Sequence, residues 1–314
     1  MTASAVDRRI RSLRPPKARV DPNVAQGFLV EPERRADGKT EHSLTVFLTG
    51  AECPFTCSFC DLWRYTIEGP TPVGALPHQL QHVLETVGGA ADRIKLYNAS
   101  NFFDSRAVPA ADLPAIASLI ARFPAVTVES HANLIGAHTL EFAGLIDGRL
   151  EVAIGLETIH PTALAQANKR LDLDRFDRAA SFLLANDIDL RVFVLLGAPY
   201  VPTEESIEWT VRSVEYAVER GASLVSIIPV RDGNGELERL GALGDFIPPT
   251  LSQLENALDR CTRITRSVVT ADLWDVERLA ACEDCRHQRI ERLRRANFTG
   301  VVGPRVECPS CAPL

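Results

Sequence analysis

No stretch of this 314-residue chain approaches the ~20 consecutive apolar residues of a membrane-spanning helix. Its first twenty residues, MTASAVDRRIRSLRPPKARV, contain no apolar run after their charges, so a secretory signal is not expected. A mitochondrial presequence would share their arginine content, but the cytosol is the expected compartment. There thiols stay reduced, which favours metal ligation over disulfides for clustered cysteines. At 46% hydrophobic and 24% charged, the composition excludes a mostly disordered or collagen-like chain. The length suits one large domain, alone or with a small appendage.

The charge is uneven. The chain carries −7 overall, yet residues 1–20 hold six Lys/Arg against Asp7, and residues 286–295 (RHQRIERLRR) hold five Arg against Glu291. Basic ends of this kind are either solvated faces or nucleic-acid contacts.

Residues 1–40 are rich in Pro and Arg, lack periodicity and read as an extended arm wrapping the domain. Short, nearly continuous apolar runs then recur at residues 43–49, 93–97, 126–129, 150–156, 189–196 and 223–228. That is the pattern of buried parallel strands. Helical periodicity fills the intervals. Leu113, Ile116, Leu119 and Ile120 share a face, as do Ile207, Val211, Val214 and Val218. Asp174 is the expected N-cap of a helix with Phe176, Ala180, Leu183 and Leu184 inward, and residues 250–266 form a further helix. Six strand–helix units predict an α/β fold with a parallel sheet and right-handed crossovers, short of a full eight-unit barrel. The expected divisions are an arm at 1–40, a core at 41–266 and an extension at 267–314. Functional residues should lie at the carboxyl ends of the strands.

The first strand runs into Cys53-Pro54-Phe55-Thr56-Cys57-Ser58-Phe59-Cys60, a C-x3-C-x2-C spacing. Three thiolates on one loop can hold three irons of a 4Fe–4S cluster and leave the fourth open to an external ligand. A zinc loop or three packed cysteines are the alternatives. In this position the loop resembles that of the radical S-adenosylmethionine (SAM) superfamily, in which C-x3-C-x2-C follows the first strand of a partial (β/α)6 barrel. Phe59 matches the usual aromatic residue before the third cysteine. The resemblance implies SAM chelated on the open iron and cleaved reductively to methionine and a 5′-deoxyadenosyl radical, which abstracts a substrate hydrogen. It also implies an electron donor such as flavodoxin or ferredoxin.

Later strand ends refine the resemblance. In place of the superfamily's Gly-Gly-Glu stands Tyr97-Asn98-Ala99-Ser100-Asn101, so Asn98, Ser100 or Asn101 would supply acceptors for the cofactor's amino group. Gly155-Leu156-Glu157-Thr158 followed by Asn168-Lys169-Arg170 is similar to the branch containing the elongator catalytic subunit and oxygen-independent coproporphyrinogen oxidase. By that likeness Glu157 faces the cofactor and Lys169 meets its carboxylate. The runs KLYNASNFFD, VESHANL and LEVAIGLETIHP resemble predicted iron–sulfur oxidoreductases related to the radical subunit of archaeosine synthase. Arg191 would touch the cofactor or pair with a neighbouring carboxylate. Gly233-Asn234-Gly235 would wall the site or simply turn, and His131 and His160 are substrate-site candidates.

Cys282, Cys285, Cys308 and Cys311 form two C-x2-C knuckles, near the usual spacing of a four-cysteine zinc site. The same ligands suit a second 4Fe–4S cluster. Cys261, alone in a helix, reads as core. The expected function is thus radical catalysis, on tRNA or another RNA, or on a small molecule or peptide. A non-catalytic iron–sulfur or zinc assembly protein is the third reading. No membrane partner is expected.

Overall fold

A computed structural model describes residues 4–265 and 267–311. In chain order its elements are α1 (Ala5–Leu13), β1 (Gly27–Arg34), β2 (Thr40–Phe47), α2 (Ala75–Val87), β3 (Arg93–Tyr97), α3 (Leu113–Ile120), β4 (Ala125–Glu129) and α4 (Ala137–Ala143). There follow β5 (Arg149–Glu157), α5 (Pro161–Gln166), α6 (Leu173–Ala185), β6 (Asp189–Leu196), α7 (Ser206–Glu219), β7 (Leu224–Pro229), α8 (Glu236–Leu243), α9 (Leu251–Ile264), β8 (Val268–Ala271) and α10 (Glu283–Thr299). One sheet holds the eight strands in sequence order. From β2 to β8 every pairing is parallel, as helical crossovers require, and β1 alone pairs antiparallel, to β2. The partial barrel expected from the sequence is present, with β1 and β8 as its edges.

The strands have two chemically different faces. Leu44, Val46, Ile94, Leu96, Val126, Val128, Val152, Ile154, Val192, Val194, Val225 and Ile227 point outward and are buried under the helices. The alternate positions point into the barrel and are largely polar. Ser43 pairs in register with Arg93, Thr45 with Lys95, Lys95 with Thr127 and Thr127 with Glu151. The runs that read as continuous apolar strands therefore alternate, and their polar members line the interior.

Three expectations need correction. The 1–40 segment is not an extended arm: it contains α1, started by a Ser4–Asp7 capping box, and the edge strand β1. Pro32 is tolerated in β1 because an edge strand leaves N–H groups unpaired on one side. The division at 266 separates β8 from the sheet it completes; Arg266 itself lies outside the described residues. In α6 the N-cap is Asp172, accepting from Arg175 N at 2.8 Å, and Leu184 is 45% exposed.

The final helix closes the open side. Asn297 donates to Ala271 O and accepts from Ala271 N on β8, both at 2.8 Å. On the other edge, Thr40 donates to Phe298 O at 2.9 Å and Arg34 to Thr299 O. Among the described residues no helix is long and apolar enough to cross a membrane.

Candidate active site

The cysteine loop leaves β2 at the carboxyl end of the sheet. Its three thiols are half-buried. Burial pushes all three above their ordinary range, Cys57 to about 12, against the pull of Lys169 on Cys53 and Cys57. Without a metal the thiols are therefore neutral, and binding would displace their protons. Asn101 holds Cys53 with an amide N–H to Sγ at 3.1 Å, while its carbonyl accepts from His131 N at 2.7 Å. Asn234 Nδ2 donates to Ser58 O at 2.9 Å, and Ser58 N to Ala167 O, also at 2.9 Å. The Gly-Asn-Gly segment thus braces the loop.

Across from the thiols, Lys169 Nζ donates to Glu157 Oε1 at 2.7 Å and sits 6.0 Å from the centre of the Phe59 ring. Burial pushes Lys169 down, but Glu157 and the thiols raise it further, so it stays charged. Gly155 makes room for the pair: a Cβ there would overlap Glu157 Oε1 and lie 2.7 Å from Lys169 Nζ. Glu157, Asn168, Arg170 and Ala99 all have left-handed backbone, with φ between 52° and 68°. Non-glycine residues hold that conformation only where neighbours enforce it.

At the ends of β3 and β4, buried polar atoms remain unspent. Asn98 Nδ2, Ser100 Oγ and Ser130 Oγ have no hydrogen-bond partner among the described residues. Beside them Glu129, half-buried, accepts from Asn98 N at 3.1 Å. Burial pushes its carboxyl up to about 7. Sequence reasoning missed Glu129; its place at an inward position next to the Asn98 turn was the available signal.

No family model matches the chain. An uncharacterized protein of Methanocaldococcus jannaschii is 21% identical over 290 residues, 85% of this chain and 80% of that one. The structure superposes on Elp3 of Methanocaldococcus infernus with TM-score 0.53 and 14% identity, over 71% of this chain and 59% of Elp3. Methylornithine synthase (PylB) gives 0.51 and 14%, over 72% of this chain and 65% of that one. A radical SAM methyltransferase from Sphaerobacter thermophilus gives 0.50 and 14%, over 82% and 80%. The chain shares the fold of these three structures.

Within that fold, several sequence candidates have other employment. Arg191 is not at the strand ends. It makes two hydrogen bonds to Glu33, at 2.7 and 3.0 Å, and one to Glu151 at 2.9 Å, deep in the barrel. Pairing with carboxylates prevails because β1, unseen in the sequence, carries Glu33 inside. His131 is fully engaged: Nε2 donates to Lys169 O at 2.8 Å, Nδ1 accepts from Asn133 N at 3.1 Å, and the ring stacks on Phe55 at 4.0 Å. Burial pushes it down to about 3, so it stays neutral. His160 caps α5 by accepting from Ala163 N. Cys261 is core, as expected.

The four tail cysteines converge. Their sulfurs all lie within 4.8 Å of one another, with Cys285–Cys311 at 3.5 Å and Cys282–Cys308 at 3.9 Å. Cys282 is the N-cap of α10, and the backbone N–H of Cys285 pulls its thiol down to about 7. The basic segments are largely spent on the fold. Arg289 pairs with Glu255, Arg292 with Asp259, Arg9 with Glu236 and Arg14 with Glu52, while Lys17 donates to Trp63 O and Thr66 O.

Proposed function

We propose that the chain is a radical SAM enzyme that abstracts hydrogen from a substrate held at the carboxyl ends of the strands. The cysteine loop carries this reading: three thiols on one turn at the open end of a parallel barrel, with the other five cysteines elsewhere. Bound there, a 4Fe–4S cluster and SAM would supply reductive radical chemistry. Cys53, Cys57 and Cys60 would hold three irons, and the Asn101 amide would donate to a ligating sulfur. Asn98, Ser100 and Ser130 offer unspent buried polar atoms to the polar end of SAM, and Phe59 offers an apolar wall. Lys169, held by Glu157, keeps a positive charge beside the thiolates. One electron per turnover would come from a donor such as flavodoxin or ferredoxin. Anaerobic reconstitution, reduction and detection of 5′-deoxyadenosine test the reading. Cys57→Ala should abolish the product, and a fully loaded wild type that forms none refutes it.

For the tail, the geometry favours zinc over a second cluster. A tetrahedral ion with Zn–S of ~2.3 Å spaces its sulfurs about 3.8 Å apart. The 3.5 and 3.9 Å separations bracket that value. A cluster interposes a cube of iron and sulfide and needs wider spacing.

The resemblance of the strand-end segments supports RNA as the substrate. The intramolecular pairing of the basic ends favours the second reading, a small molecule or peptide. Affinity for tRNA that falls steeply with salt would decide for RNA.

A further inference from the structure

Lys169 stands between two residues in left-handed backbone, Asn168 at φ 52° and Arg170 at φ 59°. Both are held by one carboxylate from the far end of the chain. Asp7, on α1, is 2% exposed. Its Oδ1 accepts from Asn168 Nδ2 at 3.0 Å and from Thr56 Oγ1, and its Oδ2 accepts from Arg170 Nη2 at 2.6 Å. Thr56 is the residue before Cys57. Asn168 Nδ2 also reaches Thr56 O and Oγ1, both at 2.8 Å. The carboxylate therefore joins the cysteine loop to the turn that carries Lys169. Burial pushes Asp7 up, yet the hydrogen bonds from Thr56, Asn168 and Ser4 hold it well below the usual carboxylate range. It is ionised under all ordinary conditions.

Asparagine tolerates left-handed backbone, but arginine does so only when held. Arg170 O also accepts from Asn133 Nδ2 and Arg175 Nη1, both at 3.1 Å, and Lys169 O from His131 Nε2 at 2.8 Å, so losing the Asp7 contact would loosen the 168–170 turn and shift Lys169 relative to Glu157 and the thiols without freeing it. We propose that Asp7 is a positioning residue of the cofactor site: it sets the cysteine loop and Lys169 at a fixed separation. This rests on reading that loop as the cluster site.

The alternative is that Asp7 merely anchors α1. Two variants separate these roles. Asp7→Asn keeps the shape but turns an N–H₂ or a weaker acceptor toward Arg170. Arg9→Met removes a different anchor of α1, the 2.9 Å pair with Glu236, and touches neither Thr56 nor the 168–170 turn. The reconstituted full-length chain is measured for iron and sulfide content, the cluster's midpoint potential, the change in its EPR signal on adding SAM, and SAM affinity.

Asp7→Asn should bind SAM roughly tenfold more weakly, the scale of one lost charge-assisted hydrogen bond, and show an altered SAM-induced EPR change. Arg9→Met should leave both unchanged while lowering the unfolding midpoint. Should Asp7→Asn fail to fold, Thr56→Val removes one contact of the same carboxylate and should shift the same readouts in the same direction. If the Asp7→Asn and Thr56→Val chains that fold match wild type in SAM affinity and EPR response, the proposal is overturned and the reading of the site stands. A wild type that takes up no cluster, or does not respond to SAM, overturns the reading of the site and the proposal with it.

Discussion

Replacing Arg191 by methionine is the sharpest test of how the barrel interior is organised. The guanidinium makes three hydrogen bonds to two carboxylates, Glu33 at 2.7 and 3.0 Å and Glu151 at 2.9 Å. The three side chains are 4%, 10% and 8% exposed. Methionine fills similar volume but supplies no charge. Glu33 would keep Lys95 at 3.1 Å, and Glu151 would keep Thr127 at 2.8 Å with Arg93 only at 3.9 Å. Removing one partner of a buried pair costs about 3–5 kcal/mol. In a chain of this size that is a drop of roughly 5–8 °C in Tm.

Glu33→Gln should cost a similar amount by stranding cations instead. The double variant should cost less than the sum, with a coupling of about 1–3 kcal/mol. Burial pushes Glu33 up, but Arg191, Lys95 and Arg93 together pull it well below the ordinary value of 4.5. A carboxylate shifted down stabilises the fold fully above that ordinary value, and the contribution is lost as pH falls toward the folded value. The deficit of Glu33→Gln against wild type should therefore be full at pH 7 and shrink below pH 4.5. Circular dichroism melts of the loaded chain across pH measure this, beside a SAM binding titration. If Arg191→Met melts with wild type while SAM affinity falls, Arg191 is a cofactor contact and the assignment is wrong.

Three further outcomes follow from the same geometry. Metal and sulfide analysis should find one zinc beside one four-iron cluster, and Cys282→Ala/Cys285→Ala should lose the zinc while keeping iron and sulfide; extra iron and sulfide in wild type would contradict the single-ion geometry. Gly155→Ala should displace Glu157 or Lys169, cost about 1–3 kcal/mol and weaken SAM binding, which unchanged melting and affinity would refute. Glu129 titrates near 7 in the fold against an ordinary 4.5, so its ionisation destabilises progressively as pH rises between those values. Glu129→Gln, which cannot ionise, should melt higher than wild type at pH 8 and about equally at pH 4; a constant difference across pH would show that Glu129 is not the titrating group.

Much of the outer barrel was readable because burial under helices demands apolar residues at alternate positions. Leu44, Val46, Ile94 and Leu96 announce their strands whatever lies on the other face. The same strong signal masked the interior. Arg93, Lys95, Thr127, Glu151 and Arg191 alternate with those apolar residues, so the period of two was in the sequence. Their common destination was not, because it depends on which strands neighbour one another. β1 was least legible: an edge strand with one buried face needs few apolar residues, and GFLVEPER carries a proline and three charges.

The site divides along the same line. Spacing within one loop exposes Cys53, Cys57 and Cys60, and spacing within each knuckle exposes the tail cysteines. Contacts made across the chain leave no local trace. Asp7 is 161 residues from Asn168 and 163 from Arg170, and nothing in the run SAVDRRI distinguishes it from an ordinary first-turn helix acid. Its capping role is real, since Ser4 and Asp7 form a capping box. The carboxylate does both tasks: Oδ2 accepts from Ser4 N at the start of the helix and from Arg170, while Oδ1 accepts from Asn168 and Thr56. The sequence reading gave Asp7 neither task, because residues 1–40 read as an extended arm, so the helix it starts and the turn it holds both became visible only in the fold.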